Sequence, residues 1–329
     1  MRRGLLLINL GTPKTPHVPD VRSYLRAFLT DKRVIDLPVL LRYILVYVFI
    51  LPFRAKRSAH AYQAIWTERG SPLLWHSQNL LTQVQQELGS KYEVVLGMRY
   101  GEPSLTEQLN QLRHCDSITI LPLYPQYSSA ASGSSIEEAL KVISSWDLIP
   151  SITVIRDFFQ HPAYIKAQTA VISEQLNEYE HLLFSYHGIP ERQITKNDCK
   201  SVCIDTCPVT SEQNQGCYKA QCHQSSRLLA KELQLSEQQY STAFQSRLGR
   251  TPWIKPYTDE ILNRLAAQGI KKLVIACPSF VADCLETLEE IRIRAQQQWL
   301  ALGGTQLIVV PCLNEHPLWV KAIADIVSE

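Results

Sequence analysis

The chain has 329 residues, of which 45% are hydrophobic and 19% charged, and a formal net charge of +2. That length suits two domains of ordinary size, and the composition supplies enough apolar surface for packed cores. A charge so near balance, with no dense basic block, argues against nucleic acid as a partner.

Arg2 and Arg3 precede the apolar run 5–8, which resembles the start of a signal peptide. Gly11-Thr12-Pro13 breaks that run too early for a secretory segment, so it reads as a buried strand and the protein is expected to be cytoplasmic. Residues 43–53 (YILVYVFILPF) lie between Arg42 and Arg54. They fall short of the roughly 20 apolar residues a spanning helix needs. Two readings stay open: a buried helix, or an apolar lip in peripheral contact with the inner membrane or a lipophilic ligand.

Further apolar runs end in Gly/Pro punctuation and lead into helical patterns. Residues 117–123 (SITILPL) precede Tyr124-Pro125-Gln126-Tyr127, a Ser-rich stretch and a helix from about Ile136. Residues 182–186 lead into His187-Gly188-Ile189-Pro190. Residues 273–277 lead into Pro278-Ser279-Phe280 and a helix through Ile293. Strands alternating with helices predict an α/β fold of parallel sheets flanked by helices. The order is duplicated: LLLINLGTP opens one half and LLFSYHGIP the other. Two similar lobes are expected, over residues 1–165 and 166–315, with a final helix over 316–329. Ligands of such folds lie beyond the carboxyl ends of the strands. A cleft between the lobes would therefore be lined by 11–13, 124–129, 187–190 and 279–286. Neither G-x-G-x-x-G after a strand nor G-x-x-x-x-G-K-[ST] occurs, so no nucleotide is expected.

His187 ends an apolar strand on a stiff turn. Imidazole suits proton uptake near neutral pH and ligates metals, although a histidine here could equally bond its own turn. Asp283, Glu286 and Glu290, spaced i, i+3, i+7, share one face of a helix. They form either an N-cap with its capping-box partner and a surface residue, or a line of carboxylates that conducts protons or passes a hard cation.

The strings LLLINLGTP, LPLYPQYSS, FSYHGIP, FQSRLGRTPWIKPYTDE and CPSFVADCLETLEEI resemble the motifs of the ferrochelatases, the terminal enzymes of haem synthesis, in the form found in Gram-negative bacteria. The match runs in order from Leu5 to about Pro311. It implies two Rossmann-like lobes with the active-site cleft between them, and insertion of ferrous iron into protoporphyrin IX. It implies that His187 and Glu286 form the iron site, with Glu290 and Asp283 on the acidic helix face. Arg99, Tyr100, Tyr124, Tyr127, Ser128 and Trp253 fall at porphyrin-binding positions. Some members carry a histidine where this chain has Cys284, which puts a relay through that position in doubt. Some animal members have paired arginines after a tyrosine; here Tyr62 is followed by Gln63 and Ala64, so the propionate partners are open, with Arg57 and Arg69 as candidates.

After HGIP come Cys199, Cys203, Cys207, Cys217 and Cys222. Members of this bacterial type have a shorter segment here, with one cysteine near Cys222, so Cys199, Cys203, Cys207 and Cys217 arrive with an insertion over about 196–218. This polar segment could not fold on an apolar core and needs a staple. Disulfides, a four-thiolate zinc site, a [2Fe–2S] cluster and free thiols compete. The family favours the cluster, since several ferrochelatases carry one. Alternatives to iron insertion into protoporphyrin are a chelatase for coproporphyrin or another tetrapyrrole, and a non-catalytic porphyrin or haem carrier. Monomer and homodimer are both compatible with the sequence.

Overall fold

A computed structural model describes residues 2–196, 199, 202, 203, 206–249 and 251–329. It contains two four-stranded parallel sheets. The first comprises β1 (Arg3–Gly11), β2 (Tyr92–Tyr100), β3 (Ser117–Pro122) and β4 (Ser151–Val154), in the order β2-β1-β3-β4. The second comprises β5 (His181–His187), β6 (Tyr240–Gln245), β7 (Lys272–Ala276) and β8 (Gln306–Val309), in the order β6-β5-β7-β8. The topologies are therefore the same: in each sheet the first strand lies between the second and the third.

Helices cover both sheets, which is why the central strands are buried almost without alternation. In the first unit Leu6, Ile8, Val95, Leu109, Ile118, Ile120 and Ile143 form the core. In the second, Leu183, Ala243, Ile261, Leu262, Ile275 and Trp299 do so. One compact unit takes the chain through Tyr124, Ser128–Asp157 and Ile323–Glu329; the other takes Pro125–Tyr127 and Phe158–Ala322.

Residues 43–53 are helical, within Val39–Ile44, the π-helix Leu45–Ile50 and Leu51–Ile65. Val46 and Leu51 turn inward, but Val48, Phe49 and Phe53 are 57%, 62% and 78% exposed. Of the two readings of this segment, burial is therefore ruled out. Among the described residues, no helix is long and apolar enough to cross a membrane.

Candidate active site

From β5 the chain crosses to β6 on one side and later to β7 on the other. The strand order therefore reverses between β5 and β7, and in such folds ligands bind beyond the carboxyl ends of the strands at that point. His187 ends β5, and the segment from Cys277 to Glu286 follows β7.

Three hydrogen bonds fix His187. Its backbone N–H donates to Ser279 Oγ at 3.0 Å, its carbonyl accepts from the Tyr218 hydroxyl at 2.8 Å, and its Nδ1 lies 2.5 Å from the Gly188 carbonyl oxygen. A carbonyl only accepts, so the last contact places the proton on Nδ1 and leaves the Nε2 lone pair for a proton or a metal ion. His187 thus bonds its own turn, and that bond orients the ring with Nε2 outward. Trp253 and Phe280 flank it, with ring centroids at 6.3 and 6.1 Å. The turn needs glycine, because a Cβ on Gly188 would lie 2.8 Å from the Gln245 carbonyl oxygen and 3.3 Å from the Trp253 ring.

Residues Glu286–Ala295 form a π-helix that continues as the α-helix Gln296–Ala301, where a regular α-helix was expected. Such segments concentrate at functional sites. Asp283 is buried: Oδ1 accepts from Thr287 Oγ1 at 3.0 Å and Oδ2 from the Asn314 amide at 2.9 Å. Its backbone N–H donates to Asn314 Oδ1 at 2.9 Å. A capping box requires Glu286 to accept from that same N–H, and Asn314 has taken it. Glu286 lies half-buried instead, its carboxylate against the Cys284 thiol.

Glu290 is gripped by Ser246, whose N–H donates to Oε1 at 2.8 Å and whose hydroxyl donates to Oε2 at 2.6 Å. Burial pushes the Glu290 carboxyl above the usual carboxylate range; the Ser246 donors and the neighbouring His187 offset this only in part. Such a carboxyl is better matched than an ordinary one to proton exchange with imidazole. Ser246 reaches it from φ 69°, a left-handed conformation uncommon for serine. Ser279 opens a stretch expected to line the cleft, but Ser246, Tyr218, Gln245 and Asn314 were not singled out in the sequence. Polar residues closing the apolar strand 240–245 were the available signal for Gln245 and Ser246; nothing local pairs Asn314 with Asp283.

Trp253 is buried, its indole N–H donating to the Leu248 carbonyl at 2.9 Å. Beside it opens a cavity of about 520 Å³ lined by Glu191, Arg247, Lys255 and Tyr257. Tyr127 also belongs to the second unit, its backbone N–H donating to Gln221 Oε1 at 2.6 Å.

The remaining expected residues lie in the first unit. Arg99 donates to Asp31 at 2.6 Å and to Ser134 Oγ at 2.7 Å, and the Tyr100 hydroxyl donates to Asp31 at 2.8 Å. Burial alone would raise the Asp31 pKa, but Ser134, the Arg33 backbone N–H, Tyr100 and Arg99 together hold it below the usual carboxylate range. The Tyr124 hydroxyl lies 3.4 Å from Ser135 Oγ, and burial pushes the phenol up. Ser128 caps the π-helix Ser129–Gly133, accepting from the Ala131 N–H. Arg57 and Arg69 are exposed.

Residues 197, 198, 200, 201, 204 and 205 of the cysteine insertion lie outside the described residues. Cys217 N-caps the helix Tyr218–Glu232. It is the more acidic thiol of a pair with Cys207: hydrogen bonding from Cys207 lowers its pKa against burial, helped by the N–H groups of Ala220 and Lys219 and by Cys199. Cys207 is pushed up correspondingly, and Cys203 acts on its charge. The Lys219 ammonium donates to the Cys203 carbonyl, and the Arg227 guanidinium to the Cys207 carbonyl. The helix thus holds the loop by two of its cysteine residues.

The family model for Ferrochelatase matches residues 2–329. Over 329 residues the chain is 62% identical to a ferrochelatase of Legionella pneumophila strain Philadelphia 1, with 100% of this chain and 99% of the relative covered. A ferrochelatase of Coxiella burnetii strain Dugway is 51% identical over 333 residues, with 99% and 93% covered. Among solved structures, SirB from Bacillus subtilis with Fe3+ is similar with a TM-score of 0.57 at 12% identity, over 100% of this chain and 95% of that one. At that identity the likeness concerns the fold.

Proposed function

The chain belongs to the ferrochelatase family, and on that premise we propose that it inserts Fe²⁺ into protoporphyrin IX, giving protohaem and releasing two protons. The supporting observation is a histidine whose Nδ1 proton is committed to a backbone carbonyl, next to a carboxyl raised by burial.

Two pyrrole N–H protons must leave the macrocycle, and its nitrogen lone pairs must turn out of the ring plane to meet the metal. Binding energy from the rest of the macrocycle can impose that distortion. His187 Nε2 accepts a pyrrole proton. Glu286 holds the incoming Fe²⁺ with His187 or takes the next transfer, and Glu290 passes the proton outward under the control of Ser246. Asp283, its oxygens already engaged, holds the start of the acidic segment in place. Arg99, Tyr100, Tyr124, Tyr127, Ser128 and Trp253 are the proposed porphyrin contacts, carried over from the family's motifs. Anaerobic steady-state assays with protoporphyrin, coproporphyrin and sirohydrochlorin test the reading. Fastest turnover of protoporphyrin is expected. Preference for another tetrapyrrole would change the substrate, and tight retention without turnover would mean a carrier.

Cys199, Cys203, Cys207 and Cys217 are the proposed ligands of a [2Fe–2S] cluster, with zinc as the competing occupant. The paired Cys207 and Cys217 thiols, Cys199 beside them and the anchored loop carbonyls fit a thiolate-bound group. Such a cluster would tie the loop and make it redox-sensitive, with no part in the insertion step. Anaerobically purified protein should show visible charge-transfer bands and contain acid-labile sulfide; colourless, zinc-containing protein would reject the cluster. We place the protein in the cytoplasm, with the exposed segment 43–53 resting on the inner membrane. Flotation with anionic liposomes, lost in Phe49→Ser/Phe53→Ser, checks this.

A further inference from the structure

We propose a second metal site, for a zinc-type divalent cation, formed by Glu93, His114 and Cys115 at the amino end of the first sheet. A carboxylate oxygen, an imidazole nitrogen and the Cys115 Sγ lie within 4.8 Å of one another, and Glu93 Oε2 is 2.8 Å from His114 Nε2. Cations of intermediate softness accept this mixture of O, N and S donors. Their bonds of about 2.0–2.3 Å let three atoms this close converge on one ion, with a fourth position left for water.

The fold builds the cluster from two stretches of chain. Glu93 is the second residue of β2, His114 ends the 3₁₀ turn Leu112–His114, and Cys115 leads from that turn toward β3. The turn closes over β1 because Gly4 has no side chain: a Cβ there would lie 3.0 Å from a Leu112 methyl. Gly4 is itself in register with Glu93 on one side and Ile118 on the other. The Glu93 and His114 side chains are 41% and 42% exposed while Cys115 is buried, so an ion can arrive from solvent and meet the thiol at the base of the site. The ion would clamp β2 to the turn that precedes β3. This is the opposite end of the sheet from Arg99 and Tyr124, so the clamp acts on stability rather than on insertion.

Equilibrium dialysis of the full chain against Zn²⁺, without porphyrin, tests the site. The wild type should retain one zinc more per chain than His114→Ala, any zinc in the cysteine loop being common to both. Glu93→Gln should weaken that ion by at least the roughly 10–100-fold that loss of an outer partner costs. With Co²⁺ as the probe, the difference spectrum between wild type and Cys115→Ser should show a thiolate-to-cobalt charge-transfer band. The same band should persist in Cys199→Ser, which separates it from the loop. His114 is at the surface, so its variant keeps the test readable even where Cys115→Ser fails to fold. Equal zinc content in wild type and His114→Ala overturns the site.

Discussion

At the end of β1 the chain runs Leu10-Gly11-Thr12-Pro13, and at the end of β5 it runs His187-Gly188-Ile189-Pro190. Both glycines sit against a carbonyl of the neighbouring strand: a Cβ would lie 1.7 Å from Tyr100 O at Gly11 and 2.8 Å from Gln245 O at Gly188. The lack of room for a side chain is shared, although only Gly11 also has a left-handed φ of 104°; the preceding residue is leucine in one unit and histidine in the other. The third strands repeat the contrast. After β3 a serine-capped π-helix continues as the helix Ser134–Ile143, while after β7 the π-helix carries Glu286 and Glu290. In the first unit the half-buried Asp31 is matched by Arg99, Tyr100 and Ser134. In the second, Glu290 keeps a raised pKa despite its partners. The same topology thus carries a neutralised network in one copy and an electrostatically costly one, proposed as the reactive centre, in the other.

Replacing the proposed base should break this contrast most sharply. His187→Ala is expected to lower insertion by roughly 10²–10⁴-fold while porphyrin still binds, as followed by fluorescence titration. Leu10→Ala, at the matching position, should leave turnover near wild type. Insertion by His187→Ala at near wild-type rate would falsify the assignment.

The converse change is Asp31→Asn. Removing the charge from a half-buried, hydrogen-bonded ion pair should cost about 1.5–3 kcal/mol of stability in denaturant titrations. Because the folded pKa of Asp31 is depressed, its contribution is present above the ordinary aspartate value and lost as pH falls through the lower folded value. The variant's stability should therefore fall less steeply on the acid side.

Glu286→Gln should reduce turnover by roughly 10–100-fold. Rates close to normal would return Glu286 to a surface role.

A further difference should appear between pH 6.5 and 4. Burial, and then nearby cations, depress His181 to about 4 and His223 to about 3. An unfolded imidazole takes its proton near pH 6.5, so across this window the unfolded state binds more protons. The second unit should lose stability as the pH falls, seen as faster hydrogen exchange in that unit than in the first. An equal response in both units would show that the two histidines carry no such linkage.

The strands legible in the sequence were β1, β3, β5 and β7, continuous apolar runs stopped by glycine or proline. Three of the others escaped for identifiable reasons. β4 and β8 have four residues each, and β6 reads YSTAFQ, whose Ser241 and Thr242 weaken its apolar signal. The acidic triplet was legible as a pattern, but its spacing could not separate a capping box from a functional line. Asn314, 31 residues from Asp283, decided against the capping box. The segment 43–53 shows the opposite difficulty, since apolar character alone does not say whether a helix is covered.

The sequence by itself determined two parallel α/β sheets, the glycine turns, His187 at a strand end and, through its motif strings, the family. These are properties of contiguous residues, carried by periodicity and local backbone geometry. Only the tertiary structure decided which His187 nitrogen is available, that Glu290 is raised, and that Glu286 is not a cap. Burial and hydrogen-bond partners set those properties, and the partners are distant in sequence: Ser279 lies 92 residues from His187, and Ser246 lies 44 from Glu290.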